Sequence, residues 1–520
     1  MSNSPTSISD RRIKRIAIIG GGTAGWIAAS ALARKLGRTC EIYLVESPDI
    51  PTVGVGEATI PAIIDFIKFL NIDQNDFIEQ VQSTFKLAVG FIDWHHLGHR
   101  YWHPFGPFGL FIDRVPFYHF WHKARAEGLN VELRHFNLEI GMCQENKFIY
   151  PGNSLGIAQN LRYALHFDAG LAARYLRAYS EQAGVVRLER SVNGVTLQPD
   201  GAIDEVVFKE GDRLKADLYI DCTGFRGLLI EGAMHTGYVD WTDVLPNDRA
   251  VAMQVPNQIP RPPYTVATAR PAGWQWRIPL QHRVGTGYVY SSEHLSEQAA
   301  LDDLLAQPGN SEPLTEPRTI KFVTGRRRIF WNKNCVTLGL ASGFIEPLES
   351  TSIHLAMSGV YCLLDHFPDL NFDPVNIAHY NEQLIDEYER VRDFIVLHYC
   401  TTQRTDTDYW LRCQRLTIPD SLAERTDMYE RTGRIFHHRH EVFTELSWFF
   451  VMEGMGLRPR SYDPLADASN WAQVRQVMTS LQQKTTAEVA AAPLHDSFFP
   501  DKPRDTTPAP GWKTAARHAS

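Results

Sequence analysis

Apolar residues first gather in an unbroken run, Ile16-Ala17-Ile18-Ile19, which reads as a buried strand. Glycines end it, and Trp26 to Ala33 then reads as a helix, followed by a second strand from Cys40 to Glu46. Residues 62–82 carry Ile63, Phe66, Ile67 and Leu70 at helical spacing. From Thr84 to Phe91 the pattern alternates. Phe85, Leu87, Val89 and Phe91 share one strand face and Lys86, Ala88 and Gly90 the other; by spacing alone that lysine is expected to face water. Residues 156–183 read as helix, with Tyr163 to Asp168 inside it. Strands are expected at Val185–Leu188, Gly194–Leu197 and Ile203–Lys209. Ala216 to Asp221 runs into a second glycine turn at Gly224 and Gly227, and Asn334 to Leu338 into a third small-residue turn. Ser342 to Ser352 then leads into a helix beginning near Ile353. A long helix opens at Asp373 as cap with Pro374 at its first position, and its apolar stripe is Ile377, Tyr380, Leu384, Tyr388, Val391 and Ile395. Residues 437–453 continue a helical C-terminal part. Strands that return several times to glycine turns predict a mixed α/β fold, a Rossmann-like module with a mainly helical module beside it. The expected boundaries are 1–370, 371–484, and an Ala/Pro-rich tail at 485–520, mobile or weakly docked, that holds Phe498 and Phe499.

Composition narrows the class. A net charge of −8 with no long basic block excludes nucleic acid as an expected partner. The seven cysteines are dispersed without a C-x-x-C pair, Met1 to Arg15 has no apolar core of a signal peptide, and no run reaches the length of a membrane span. A cytoplasmic protein without membrane contact is therefore expected.

The chemistry begins at the first turn. Gly20, Gly22 and Gly25 fit G-x-G-x-x-G between a strand and a helix, the arrangement that seats a dinucleotide pyrophosphate on a helix N-terminus. Glu46 closes the next strand about 20 residues later, where an acid bonds ribose hydroxyls and repels a 2′-phosphate. FAD or NAD is thus expected rather than NADP. The glycine-rich stretch Pro51 to Pro61 reads as a strap facing that ligand. His95, His96, His99 and His103 cluster with aromatic residues, but Gly98 and Pro104 interrupt any helix that would align them on a metal, and no metal site is expected. Trp102, His103 and Phe105 read as aromatic pocket lining, and His437, His438 and His440 as a solvated face. Trp274 and Trp276 stand two apart and would form an indole wall on one strand face. Backbone N–H groups at the helix start after Thr351 could hold an anion, with Glu349 beside them.

Four motifs in one order, Gly20 to Gly25, Gly54-Val55-Gly56-Glu57-Ala58-Thr59, Gly273-Trp274-Gln275-Trp276-Arg277-Ile278-Pro279 and Glu346-Pro347-Leu348-Glu349-Ser350-Thr351, resemble the flavin-dependent halogenases of the tryptophan halogenase family over residues 13–460. The resemblance implies an FAD-binding module of the flavin-monooxygenase type, served by FADH2 from a separate flavin reductase. It implies that O2 and a halide, bromide or chloride, give hypohalous acid by way of a flavin hydroperoxide. The oxidant passes to Lys86, which the resemblance makes catalytic and removes from solvent, and Glu349 acts beside it. It assigns FAD contacts to Gly20, Gly22, Thr23, Ala24, Gly25, Glu46, Gly54, Val55, Gly56, Glu57, Ala58, Leu338, Gly339 and Ile353. Thr351 and Ser352 match halide-binding positions, although many relatives carry glycine where Ser352 stands. His103, Phe105 and Trp448 would stack on the substrate, and Trp274 and Trp276 would keep it from the flavin. Glu445 to Glu453 lacks the tyrosine-rich lid of the tryptophan-specific members. The expected substrate is accordingly a small aromatic such as indole, with bromide preferred and a homodimer expected at the family level. The rival readings are a flavin-dependent aromatic hydroxylase and a flavin-binding protein without turnover.

Overall fold

The computed structural model describes residues 11–49, 56–153 and 156–499. The glycine-turn module is a six-stranded sheet in the order Trp331–Asn332, Cys335–Thr337, Leu218–Asp221, Arg15–Ile19, Glu41–Glu46, Val186–Glu189. All its pairs are parallel except the hairpin formed by the first two strands. The central strands are apolar on both faces because both are covered: Ile16, Ile18, Leu44 and Ile220 pack under helices, and Ala17, Ile19, Val45 and Tyr219 against the antiparallel sheet that holds Ile203, Val206, Phe208 and Leu214. Helix Thr23–Leu36 and helix Ala169–Gln182 pack on this module, and all seven cysteines are free thiols.

A seven-stranded sheet stands beside it, in the order 318–321, 249–255, 284–290, 273–279, 264–270, 88–92, 100–104. It brings the tryptophan-pair strand Gly273–Pro279 and the histidine strand Arg100–Pro104 into one layer. A small sheet pairs Gly56–Ala58 and Thr84–Lys86 with the two edges of Ala164–Asp168. The long helix spans Pro374–Cys400, and Asp373 caps it by accepting from Val375 N at 2.9 Å and Asn376 N at 3.2 Å. Among the described residues no helix is long and apolar enough to cross a membrane.

Four readings of the sequence are corrected. Residues 62–82 form two helices, Ala62–Phe69 and Gln74–Gln80, because Asn71 takes a positive φ and Asp73 caps a fresh start. Residues 164–168 are a strand rather than the middle of a helix: the β-sheet partners on both sides outweigh the helical spacing, and Asp168 caps the helix that follows. The strand expected at 84–91 breaks at Leu87, whose N–H goes to Pro263 O at 2.8 Å, so its two halves belong to different sheets. Helix Trp471–Ala491 runs through the boundary expected at 485, and His495 and Phe499 are buried, so residues up to 499 are docked by an aromatic cluster rather than loose. Residues 500–520 lie outside the described residues.

Candidate functional site

At the first turn Gly20 has φ +117°, and a Cβ there would run into the carbonyl of Cys222, so only glycine fits. Gly25 lies against the carbonyl of Gly20, which lets helix Thr23–Leu36 sit close on its strand. Gly22 caps that helix without any side-chain bond, and a Cβ on it would meet nothing within 4 Å. The helix N-terminus is therefore open and lined by backbone N–H groups, which is what a pyrophosphate requires. Glu46 stands beside Gly21 and is held by Arg187. Thr23 and Ala24 begin the helix, and Ala24 touches Gly339 of the turn after strand Cys335–Thr337. Leu338 and Ile353 are buried. Gly54 and Val55 lie outside the described residues, while Gly56, Glu57 and Ala58 form the edge strand beside 164–168. Burial pushes the Glu57 carboxyl up to about 7. These residues fit a dinucleotide such as FAD.

Lys86 is fully buried, which reverses the solvated placement that spacing alone favours. Its Nζ donates to Thr59 O at 2.9 Å and to Ser350 Oγ at 2.8 Å, and lies 5.1 Å from the Phe105 ring centre. Loss of hydration lowers its pKa to about 7, although the nearby Glu349 charge pulls the other way. Ser350 presents its hydroxyl from a left-handed backbone position, φ +62°. Glu349 is buried in turn, with Oε2 2.8 Å from His103 Nδ1 and Oε1 3.1 Å from His398 Nε2. Burial raises a carboxyl, but here the two imidazoles outweigh it and hold Glu349 at about 2. Burial lowers His398, which keeps it neutral despite the Glu349 charge. Tyr101 OH lies 2.6 Å from His398 Nδ1 and burial keeps it protonated, so it donates; His398 then carries its proton on Nε2, 3.1 Å from Glu349 Oε1 but off the line of a hydrogen bond.

The two flanks of this group are aromatic and polar. His103 lies 6.3 Å from Phe105, 5.4 Å from Phe394 and 5.9 Å from Phe443, ring centre to ring centre. Trp448 meets Phe394 edge-on at 4.9 Å, so it stands one ring behind His103 rather than against it. Thr351 and Ser352 form the start of helix Ser352–Asp365; Thr351 is fully buried and its Oγ1 has no hydrogen-bond partner. Trp274 and Trp276 lie 6.2 Å apart on one strand face. Trp274 Nε1 donates to Glu346 Oε2 at 2.6 Å, and Tyr399 OH and Asn247 Nδ2 donate to the same oxygen.

The structure thus brings Lys86, Glu349, Ser350, Thr351, His103 and Phe105 together. His398, Tyr101 and Ser350 are residues that sequence reasoning left without a role. The apolar stripe of the long helix pointed at His398, since one further helical step from Ile395 reaches it.

A family model described as tryptophan halogenase matches residues 15–470. The chain is 43% identical to the solved structure of Xcc4156, a flavin-dependent halogenase from Xanthomonas campestris, covering 94% of this chain and 98% of that one at a TM-score of 0.90. It is 40% identical to BrvH, a flavin-dependent halogenase from Brevundimonas sp. BAL3, with the same coverages and a TM-score of 0.89. Tryptophan 7-halogenase RebH of Lentzea aerocolonigenes is 36% identical over 492 residues, 87% of this chain and 91% of that protein.

Proposed function

The chain belongs to the tryptophan halogenase family of flavin-dependent enzymes, and we propose that it halogenates a small, electron-rich, indole-like aromatic through Lys86. The observation that carries this reading is the buried Lys86, bonded to Thr59 and Ser350 and set beside Glu349. Reduced FAD, supplied by a separate reductase, would turn O2 and halide into hypohalous acid. Gly20, Gly22, Thr23, Ala24, Gly25 and Glu46 would hold it at the first turn, with Gly54, Val55, Gly56, Glu57, Ala58, Leu338, Gly339 and Ile353 around it. The open start of helix Ser352–Asp365 would hold the halide at Thr351 and Ser352.

A neutral lysine amine has two N–H bonds and one lone pair. The two acceptors, Thr59 O and Ser350 Oγ, take the N–H bonds and leave the lone pair open. Burial makes that neutral form available near pH 7. The amine attacks the halogen of hypohalous acid; nitrogen gains halogen, loses a proton, and water leaves. The ring then takes the halogen from nitrogen while its own proton passes to that nitrogen by way of Glu349, so the neutral amine is restored and no amide anion is formed. Glu349 stays ionised beside the cationic ring, stabilises it, and is basic enough for a proton that acidic. His103 and Phe105 would stack on the ring, with Trp448 supporting them from behind Phe394. Trp274, fixed by Glu346, and Trp276 would wall the ring off from the flavin.

Three carboxylates on the helical side are already engaged. Glu441 pairs with Arg425 at 2.8 Å and accepts from Trp448, Glu445 accepts from Tyr118, and Glu453 meets Arg125 and Tyr429. Among the described residues these three carboxylates are engaged within the protein rather than free for a substrate ammonium, which supports indole over tryptophan.

The test is a mass-spectrometric assay with FAD, a flavin reductase, NADH, O2 and either chloride or bromide, offering indole and tryptophan separately. Halogenated indole in excess over halogenated tryptophan is expected, and comparing halides tests the bromide preference. A hydroxylated product formed without halide would overturn the reading in favour of a monooxygenase.

A further inference from the structure

Strand Thr84–Lys86 has only three residues and lies at the edge of its sheet, paired on one side with Ala164–Asp168. Adjacent strand residues point to opposite faces. Lys86 faces Ser350, and Phe85 therefore enters the layer behind it, where it stacks on Phe148 at 4.0 Å. Tyr150 and Tyr163 also meet Phe85, at 5.1 and 5.9 Å, and the C-terminal segment packs beside them. Phe498 lies 5.6 Å and Phe499 5.3 Å from the Phe85 ring centre, and His495 lies 5.9 Å away.

His495 is fully buried and both ring nitrogens are engaged. Nδ1 donates to Arg261 O at 2.8 Å, which leaves Nε2 as acceptor for the backbone N–H of Phe85 at 3.2 Å. Burial lowers the imidazole to about 4, so it remains the neutral acceptor that this bond requires. The segment is fastened along its length. Phe148 N donates to Pro493 O at 3.2 Å, His495 N to Asn146 O at 2.8 Å, and Arg261 N to Asp496 Oδ2 at 3.1 Å. Upstream, Glu488 accepts from Ile157 N and Ala158 N, and Lys147 Nζ caps the helix end at Val489 O and Ala490 O. The residues matched by the family model end at 470, before any of these contacts.

We propose that segment 493–499 is a clamp on the back of the lysine strand, with His495 as the positioning residue that fixes the Thr84–Phe85 peptide, one residue before Lys86, and so the place of Nζ. It rests on the reading of Lys86 as the catalytic residue. A short edge strand has few backbone bonds of its own, and Phe85, joined to the reacting lysine by one peptide bond, carries that residue's backbone with it when it shifts. The clamp supplies from a side chain the bond that a neighbouring strand would otherwise supply, and its ring keeps water from the back of the strand.

The test compares His495→Phe, which keeps the ring and removes the acceptor, with His495→Gln, whose amide oxygen restores it. Three readouts are taken on the full chain: hydrogen exchange of the Phe85 amide, the pH midpoint of Lys86 labelling by an amine-reactive reagent, and kcat against KM for indole. The first two need no flavin. In His495→Phe the Phe85 amide is expected to exchange about tenfold faster. The Lys86 midpoint should rise toward that of an ordinary lysine as water enters. kcat should fall about fivefold with KM little changed, and His495→Gln should recover most of each loss. Unchanged exchange and an unchanged Lys86 midpoint in His495→Phe would overturn the clamp, as would equal losses in the Phe and Gln variants. If both move while kcat holds, the clamp stands and the catalytic reading of Lys86 falls. Should His495→Phe fail to fold, Asp496→Ala loosens the same segment from Arg261, and an Asp496→Ala protein with wild-type exchange at Phe85 would overturn the proposal equally.

Discussion

Glu346 and Glu349 stand in the same turn, both with almost no exposed surface, and burial penalises the charge of each. Glu346 gathers its partners on one oxygen: the indole N–H of Trp274, the hydroxyl of Tyr399 and the amide of Asn247. These neutral donors only partly offset burial, and its pKa stays raised. Glu349 instead has an imidazole on each oxygen and Lys86 nearby, and it is held at about 2. The same side chain in the same loop thus serves two ends. Glu346 is a fixed anchor that orients an indole and two other donors, while Glu349 keeps a permanent negative charge where a cationic ring would form.

The largest effect that would break this contrast is on turnover. Glu349→Gln keeps the shape and removes the charge; kcat should fall about a hundredfold or more, with FAD affinity, read by flavin fluorescence, unchanged. A variant with near wild-type kcat would place Glu349 on the structural side with Glu346. Next comes stability. Glu346→Leu strands three buried donors, each costing about 1–3 kcal/mol, and denaturant unfolding should register a loss of several kcal/mol. Glu346→Gln, which still accepts from Trp274, should lose about 1 kcal/mol and retain most activity. Equal losses for the two would show that the donors are not what Glu346 serves.

A smaller and sharper effect lies in the pH dependence. Lys86 is shifted downward from an ordinary lysine to about 7, so its amine fraction grows as pH rises through that value. Halogenation per flavin turnover should rise with it and level off above. Glu349 pulls the lysine pKa up, so Glu349→Gln should move the labelling midpoint of Lys86 lower still. A midpoint that moves up, or a product yield that falls between pH 6 and 8, would contradict the amine as the reacting form. The slightest change expected is at Gly22. Gly22→Val enters open space and should leave stability within about 0.5 kcal/mol, while FAD affinity drops; unchanged affinity would remove the pyrophosphate from that turn.

Much of this was legible in the sequence where one local rule acts alone. The glycine turn, the strand Glu41–Glu46 that ends in Glu46, and the capped helix Pro374–Cys400 follow from φ requirements, apolar runs and caps that neighbouring residues decide. Residues 164–168 were not legible, because their helical spacing is overruled by edge pairing with strands Gly56–Ala58 and Thr84–Lys86, far away in the chain. Lys86 misleads for the same reason. Alternation places it opposite Phe85, but its burial depends on Thr59 and Ser350, which no local pattern brings to it. Tyr101 and His398 carry no local signal of a role, and His495 falls in a stretch whose composition reads as a loose tail; their roles arise from hydrogen bonds across hundreds of residues.

The most direct measurement of the central claim is an uncoupling assay on Lys86→Ala, with indole, bromide, reduced flavin and a soluble trap for hypohalous acid. In Lys86→Ala flavin should still be oxidised and the trap halogenated, while halogenated indole falls below detection. Halogenated indole formed at the wild-type rate by Lys86→Ala would contradict the claim and remove the buried lysine from the transfer.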